Sequence, residues 1–225
     1  MEILTLFTAE TGHFAMLMAF VLSACASVLP VIGWKMGDGR LMDSAGPLAL
    51  TQCLFIALSF AALVHAYVTG DFSVANVWQN SQTDKPLIYK ITGTWGNHEG
   101  SMLLWVLILA LFGASVPIFG RHLPQDLRAL VVAVQSWVLF AFLAFIVFTS
   151  IPFNRLSPAP PQGQDLNPIM QDLGLAIHPP LLYVGYVGFS MTFAFAVAAL
   201  LLGRVDQAWA RWVRPWTLAA WLFLA

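Results

Sequence analysis

The sequence predicts an all-α fold: a polytopic transmembrane helical bundle with its N-terminus outside, five complete spans and a truncated sixth. Three observations predict it. Hydrophobic residues make up 59% of the 225 positions and charged residues only 9%, against about 25% charged in a soluble domain. The mean hydropathy is +0.77. The apolar residues also fall in long runs, and a helix that crosses a bilayer needs roughly 20 of them in succession.

The spans are read off in order. The first covers about His13 to Ile32 and the second about Pro47 to Val68. The third covers about Ser101 to Phe119, the fourth about Leu127 to Ser150, and the fifth about Pro179 to Leu202. A sixth begins near Trp216 and reaches Ala225 after too few residues to span, so the natural polypeptide is expected to continue.

Loop charges set the orientation. Lys35, Arg40, Arg121, Arg128, Arg204, Arg211 and Arg214 fall in alternate loops, and Lys85, Lys90 and Arg155 in the others, a split of seven against three. The positive-inside rule makes the first set cytoplasmic and the N-terminus outward. Trp34, Trp209, Trp212 and Trp216 then form an aromatic belt at the cytoplasmic interface.

Two outward loops are long for a bundle, about 69–100 and 151–178. In the first, Phe72, Val74, Val77 and Trp78 are spaced for one apolar helix face, which suits a short helix lying on the membrane surface. The second holds Pro152, Pro158, Pro160, Pro161, Gly163 and Pro168. It cannot be a regular helix and is ordered only if it packs on something. With no internal repeat and no linker, residues 1–225 read as a single membrane domain.

Composition also narrows function. The net charge of −1 comes with no basic stripe for a nucleic-acid backbone. Cys25 and Cys53 sit inside apolar runs and form no CxxC or CxxCH, so they read as packing residues. The start, Met1-Glu2-Ile3-Leu4, has no basic n-region or cleavage site and reads as mature protein.

With this topology His13, His65, His98 and His178 lie at or near the outer ends of spans, and only His122 is cytoplasmic. Ionisable residues beside a span are costly and default to a functional hypothesis. His13 and His65 also read as interfacial side chains wetted at one end, and His122 as a turn residue. No two histidines sit at mid-depth to ligate a haem buried in the bilayer. His178 precedes Pro179-Pro180 and the fifth span, and proline is favoured in the first helical turn, so His178 is expected at or just before the N-cap. A helix N-terminus there would favour neutral imidazole, the form that binds metal. A plain capping role is the alternative. The segment Thr94-Trp95-Gly96-Asn97-His98-Glu99-Gly100-Ser101 is the second candidate. Trp95 offers a flat face to a planar ligand, and His98 and Glu99 place an imidazole beside a carboxylate at a helix start. An interfacial capping segment is the plain alternative.

These two segments carry a resemblance. Trp95-Gly96-Asn97-His98-Glu99-Gly100-Ser101-Met102-Leu103-Leu104-Trp105 resembles a signature of the CcmF-type cytochrome c haem lyase subunits. Asn167-Pro168 followed by Asp172 through Tyr186, including Ile177-His178-Pro179-Pro180-Leu181-Leu182-Tyr183, resembles a second signature of that family. The likeness extends over essentially the whole chain.

The resemblance implies a multi-pass protein of the bacterial inner membrane with periplasmic outer loops. It implies that haem is taken from a haem chaperone and presented to apocytochrome c and its thiol-holding maturation subunits. Thioether bonds then join the haem vinyl groups to a CxxCH motif. Such a subunit acts by positioning haem, not as a hydrolase or a general acid–base enzyme. The matching histidine, His178, is implied to be an axial ligand of the presented haem, and His98, Trp95 and Glu99 to support that site. The second outward ligand and the histidines of a b-type haem lie further along the family's chain, outside residues 1–225. Two rival readings are a secondary transporter, disfavoured because the spans carry no mid-depth charge, and a cofactor-free structural subunit of a respiratory or assembly complex.

Overall fold

The computed structural model describes residues 8–225 and is helical almost throughout. The first residues, for which a mature N-terminus is expected, lie outside the described part. In chain order the elements are α1 (Thr8–Met36), α2 (Gly39–Asp43), α3 (Ala45–Thr69), α4 (Ala75–Asn80), α5 (Leu87–Gly93), α6 (His98–Phe119) and α7 (Gln125–Thr149). A 3₁₀ turn (Pro168–Gln171), α8 (Leu173–Leu202) and α9 (Gln207–Leu224) follow. Five helical segments are long and apolar enough to cross a membrane: α1, the α2–α3 stretch, α6, α7 and α8. All five expected spans are present, each within a few residues of its expected bounds except the fifth. The sixth segment is α9, which starts at Gln207 behind an Asp206 cap, well ahead of Trp216.

Local chemistry explains the helix ends. Asp38, Asn97, Asp172 and Asp206 cap α2, α6, α8 and α9, each side chain accepting a backbone N–H of the first turn. Gly70 and Gly203 close α3 and α8 in the left-handed conformation, at φ of 70° and 66°.

Helix α1 buries small residues (Ala9, Gly12, Ala15, Ala19, Ser23, Ala26) while Phe14, Val21 and Val28 face outward. Small interfacial residues let helix backbones approach closely where lipid removes any hydrophobic drive between helices. Helix α7 packs against α1, α6 and α8; α1 and α6 both pack on α3, and α9 packs on α8. Polar side chains at mid-bundle pair with each other: Gln52 with Ser136, and Gln135 with Ser190 and the Leu109 carbonyl.

Both long loops stand at the same end of the bundle, and each is ordered by the other. Val74 and Arg155 form an antiparallel bridge, with Ala75 N donating to Asn154 O at 2.8 Å and Leu156 N to Ser73 O at 2.7 Å. Further on, Gln164 N donates to Trp78 O at 2.7 Å, and Lys85 pairs with Asp165. Arg155 also reaches Glu10 at 2.8 Å and Asp71 at 3.1 Å, which fastens the joined loops to α1.

The apolar face expected to lie on a membrane turns inward instead. Phe72, Val74 and Val77 are buried in the core around Tyr67 and Leu103. The second loop pulls that segment over the bundle end, so its apolar side chains meet protein rather than lipid. The exposed apolar pair of this loop is Leu87 and Ile88 on α5.

At the opposite end Trp34, Trp209, Trp212 and Trp216 gather, partly buried around Leu127, Leu130 and Phe195. Trp209 Nε1 donates to Phe195 O at 3.1 Å.

Candidate functional site

The loop-rich end holds the candidate residues, and a polar knot fixes their backbone. Tyr67, fully buried at the end of α3, donates to Asn76 Oδ1 at 2.7 Å. Asn97 Nδ2 donates to Tyr67 Oη and to Gly93 O, both at 2.9 Å. Asn97 Oδ1 accepts from Gly100 N and from Asn76 Nδ2, both at 2.8 Å. Glu99 joins the knot, with Oε2 accepting from Asn76 Nδ2 at 3.2 Å. The α6 N-terminus is thus clamped to α3 and α4. Gly100 is required here, because a Cβ at that position would lie 1.6 Å from Thr94 O.

Trp95 stands just before this clamp, its ring near-parallel to Phe60, with centroids 6.5 Å apart and planes 17° apart. Its indole N–H donates to Ala176 O at 2.9 Å, across 81 residues of sequence. That carbonyl has lost its helical donor. The N–H that would reach it belongs to residue 180, which is proline. Ala176 is buried, and a buried carbonyl left unpaired costs about 1–3 kcal/mol.

The sequence expectation for the start of the fifth span is corrected here. Helix α8 begins at Leu173, capped by Asp172, whose side chain accepts Leu175 N at 3.1 Å. His178 therefore sits in the second turn, not at the N-cap, and the second loop ends at Asp172. Pro179 and Pro180 are inside the helix rather than opening it. The helix extends upstream because Asp172 is a better cap than histidine and because Trp95 satisfies a carbonyl that the proline pair orphans. His178 thus lies clear of the free N–H groups of the first turn.

An open cavity of about 460 Å³ lies between the α6 N-terminus, the 3₁₀ turn and α8. Trp95, His98 and Asn97 line one side, and Met170, Pro179 and Tyr183 the other. Trp105 forms its inner end, with ring centroids 5.3 Å from Tyr183 and 5.5 Å from Tyr186. Ser101 Oγ and Tyr183 Oη, 2.5 Å apart, bridge the two helices. No carboxylate or ammonium lines the cavity; its walls are aromatic, thioether and amide, with His98 the only titratable imidazole. His98 Nε2 lies 3.1 Å from Ser150 Oγ, and the ring meets Phe145 edge-on at 6.1 Å. His98 also borders a second, apolar groove of about 420 Å³ between α6 and α7.

The structure brings Trp95 and His98 together on one cavity. His178 is exposed on the turn whose next residue, Pro179, lines that cavity. Glu99 is turned away into the Tyr67 knot. Trp105, Tyr183 and Met170 were missed as site residues. For Trp105 the signal was present: His98, Ser101, Met102 and Trp105 follow the i, i+3, i+4, i+7 spacing of one helix face. Among the described residues no group of three His, Cys, Asp or Glu side chains could hold a metal ion. A single imidazole such as His178 suits a metal that brings its own equatorial ligands, as haem does.

Fold and site define a multi-span membrane protein whose candidate site residues collect at one end of the bundle. Comparison with known proteins sharpens this. The model of the family described as "Cytochrome C assembly protein" matches residues 95–225, from Trp95 onward. The chain belongs to that family. It is 63% identical to the cytochrome c-type biogenesis protein CycK of Rhizobium meliloti, covering 96% of this chain and 32% of the relative. It is 48% identical to the cytochrome c-type biogenesis protein CcmF of Escherichia coli, covering 96% and 33%. Among solved structures, the "Cytochrome c Heme Lyase CcmF" superposes with a TM-score of 0.84 at 30% identity, over 96% of this chain and 34% of that one. The chain spans about a third of the length of these relatives.

Proposed function

We propose that this chain forms the haem-receiving part of a cytochrome c maturation protein. It takes haem, as substrate, from a haem chaperone at the outer face of the bacterial inner membrane and holds it for apocytochrome c. The N-terminus and the two long loops face the periplasm, in keeping with the loop charges. His178 supplies one axial ligand to the iron. The second ligand and a b-type haem that keeps the iron reduced belong to the part of the relatives' length not covered by this chain. Thiol-holding subunits bring the CxxCH cysteines to the vinyl groups, and proximity does much of the work.

The observation that carries this reading is the uncharged aromatic cavity beside the turn of His178. Its residues fit a porphyrin: Trp105 and Tyr183 offer flat apolar surface, and His98 and Ser101 offer polar atoms at the rim for propionates. In the full-length protein, His178→Gly should abolish or severely reduce holocytochrome c while leaving the protein in the membrane. Normal yields would defeat the ligand assignment.

A further inference from the structure

The hydrogen bond from Trp95 to Ala176 links two segments that the haem-receiving reading treats as separate supports. We infer that Trp95 is a positioning residue for His178: its indole N–H replaces the backbone donor that Pro180 lacks and so fixes the turn that carries the imidazole. The inference rests on the proposed role of His178 and adds to it a cause for where that side chain stands.

Four features support the assignment. The missing donor and the supplied one meet at the same atom, since Pro180 and Trp95 both address Ala176 O. Ala176 is 3% exposed, so bulk solvent does not replace the bond. The donor is rigid: the ring lies along Phe60, and the backbone around it is held by Asn97 Nδ2, which donates to Gly93 O at 2.9 Å and Thr94 O at 3.3 Å. His178 is exposed, two residues beyond Ala176, so the backbone of its turn sets where the imidazole stands. Without the indole the turn has two successive residues, Pro179 and Pro180, that cannot close it, and its ladder is free to open. The flat face of Trp95 is then a wall of the cavity, while its working atom is Nε1.

A double-mutant cycle tests this in the full-length protein. Trp95→Phe keeps the ring and removes the donor. Pro180→Ala restores a backbone N–H that can reach Ala176 O. Two readouts are taken: haem titrated into purified protein and followed by the absorption and paramagnetic resonance of the iron, and, without haem, amide hydrogen exchange at Ile177, His178 and Leu181. Trp95→Phe is expected to weaken haem binding by about tenfold, the equivalent of about one net hydrogen bond, to alter the axial-ligand signature, and to speed exchange. Pro180→Ala alone is expected to stay near wild type. The double variant is expected to recover both readouts. Equal losses from Trp95→Phe in both backgrounds, or no loss in either, would overturn the inference, as would failure of both Trp95 variants to accumulate. A His178→Ala control separates the two claims. If it leaves the iron signature unchanged, the ligand reading fails, and the exchange data alone decide whether Trp95 holds the turn.

Discussion

Asn97 and Tyr67 are joined side chain to side chain at 2.9 Å, and through that contact the start of α6 is locked to the end of α3. Asn97 uses its whole amide in the process. Its two N–H groups meet Tyr67 Oη and Gly93 O, and its oxygen caps α6 at Gly100 N. Asn97→Ala should therefore cost more than an ordinary cap, about 1–3 kcal/mol, because it also removes one hydrogen-bond partner each from the buried Tyr67 hydroxyl and from Asn76. Unfolding of the protein in detergent micelles measures this. A midpoint equal to wild type would show that the knot does not hold the site.

Gly100 makes a sharper prediction. A methyl group there would overlap the Thr94 carbonyl at 1.6 Å, and the obstacle is backbone that cannot rotate away. Gly100→Ala should displace the 94–97 segment, and with it Trp95, lowering both the amount of folded protein and the yield of holocytochrome c. Gly46→Ala is the control, since its Cβ would meet only Pro117 Cβ at 3.4 Å. Equal accumulation of the two variants would contradict the close approach seen here.

These cases mark what the chain reveals unfolded. The five spans were legible because each is a long apolar run, and the lone imidazoles at span ends stood out for the opposite reason. The position of His178 was not legible. Proline is read as a helix opener, and the contact from Trp95 that satisfies the carbonyl orphaned by Pro180 comes from 81 residues away in sequence. The inward face of Phe72, Val74 and Val77 was hidden likewise. Its spacing identifies an apolar face, but that face is turned onto the bundle end by pairing with the second loop, whose irregular sequence carries no periodic signal. Tyr67 and Asn76 escaped notice because neither belongs to a motif, and their roles exist only once α3, α4 and α6 meet.

The pairing of the two loops should depend on acid. Burial would raise the Asp165 carboxyl, but the Lys85 ammonium, the Leu166 N–H and Gln171 outweigh it and hold Asp165 below the usual carboxylate range. A carboxylate depressed in the folded state stabilises at pH above its unfolded value, near 3.9, and loses that contribution as pH falls through the folded value. Limited proteolysis of the 151–167 segment should therefore be slow from neutrality to about pH 4 and quicken below it. In Asp165→Asn it should be fast at neutral pH and show no further acid dependence from this pair. A variant cleaved as slowly as wild type at neutral pH would remove the pair from any role in joining the loops.

His98 offers the last test, and its geometry sets the expected size. The ring is fixed by Ser150 at Nε2 and by Phe145 at its edge, while the residue borders the cavity. If the cavity receives haem as proposed, such an imidazole would donate to a carboxylate at the rim rather than ligate iron, and removing it should weaken haem binding without abolishing attachment. His98→Ala should lower haem affinity by about tenfold, in line with loss of one hydrogen bond to a charged group. Holocytochrome c should fall in proportion, far short of the loss from His178→Gly. Ser150→Ala, which frees the ring but keeps it, should fall between His98→Ala and wild type. Titration of a haem with esterified propionates separates contact from mere packing. If His98 meets a propionate, the esterified haem should bind wild type and His98→Ala alike. A His98→Ala variant that binds ordinary haem and matures cytochrome c normally would remove the residue from the site altogether.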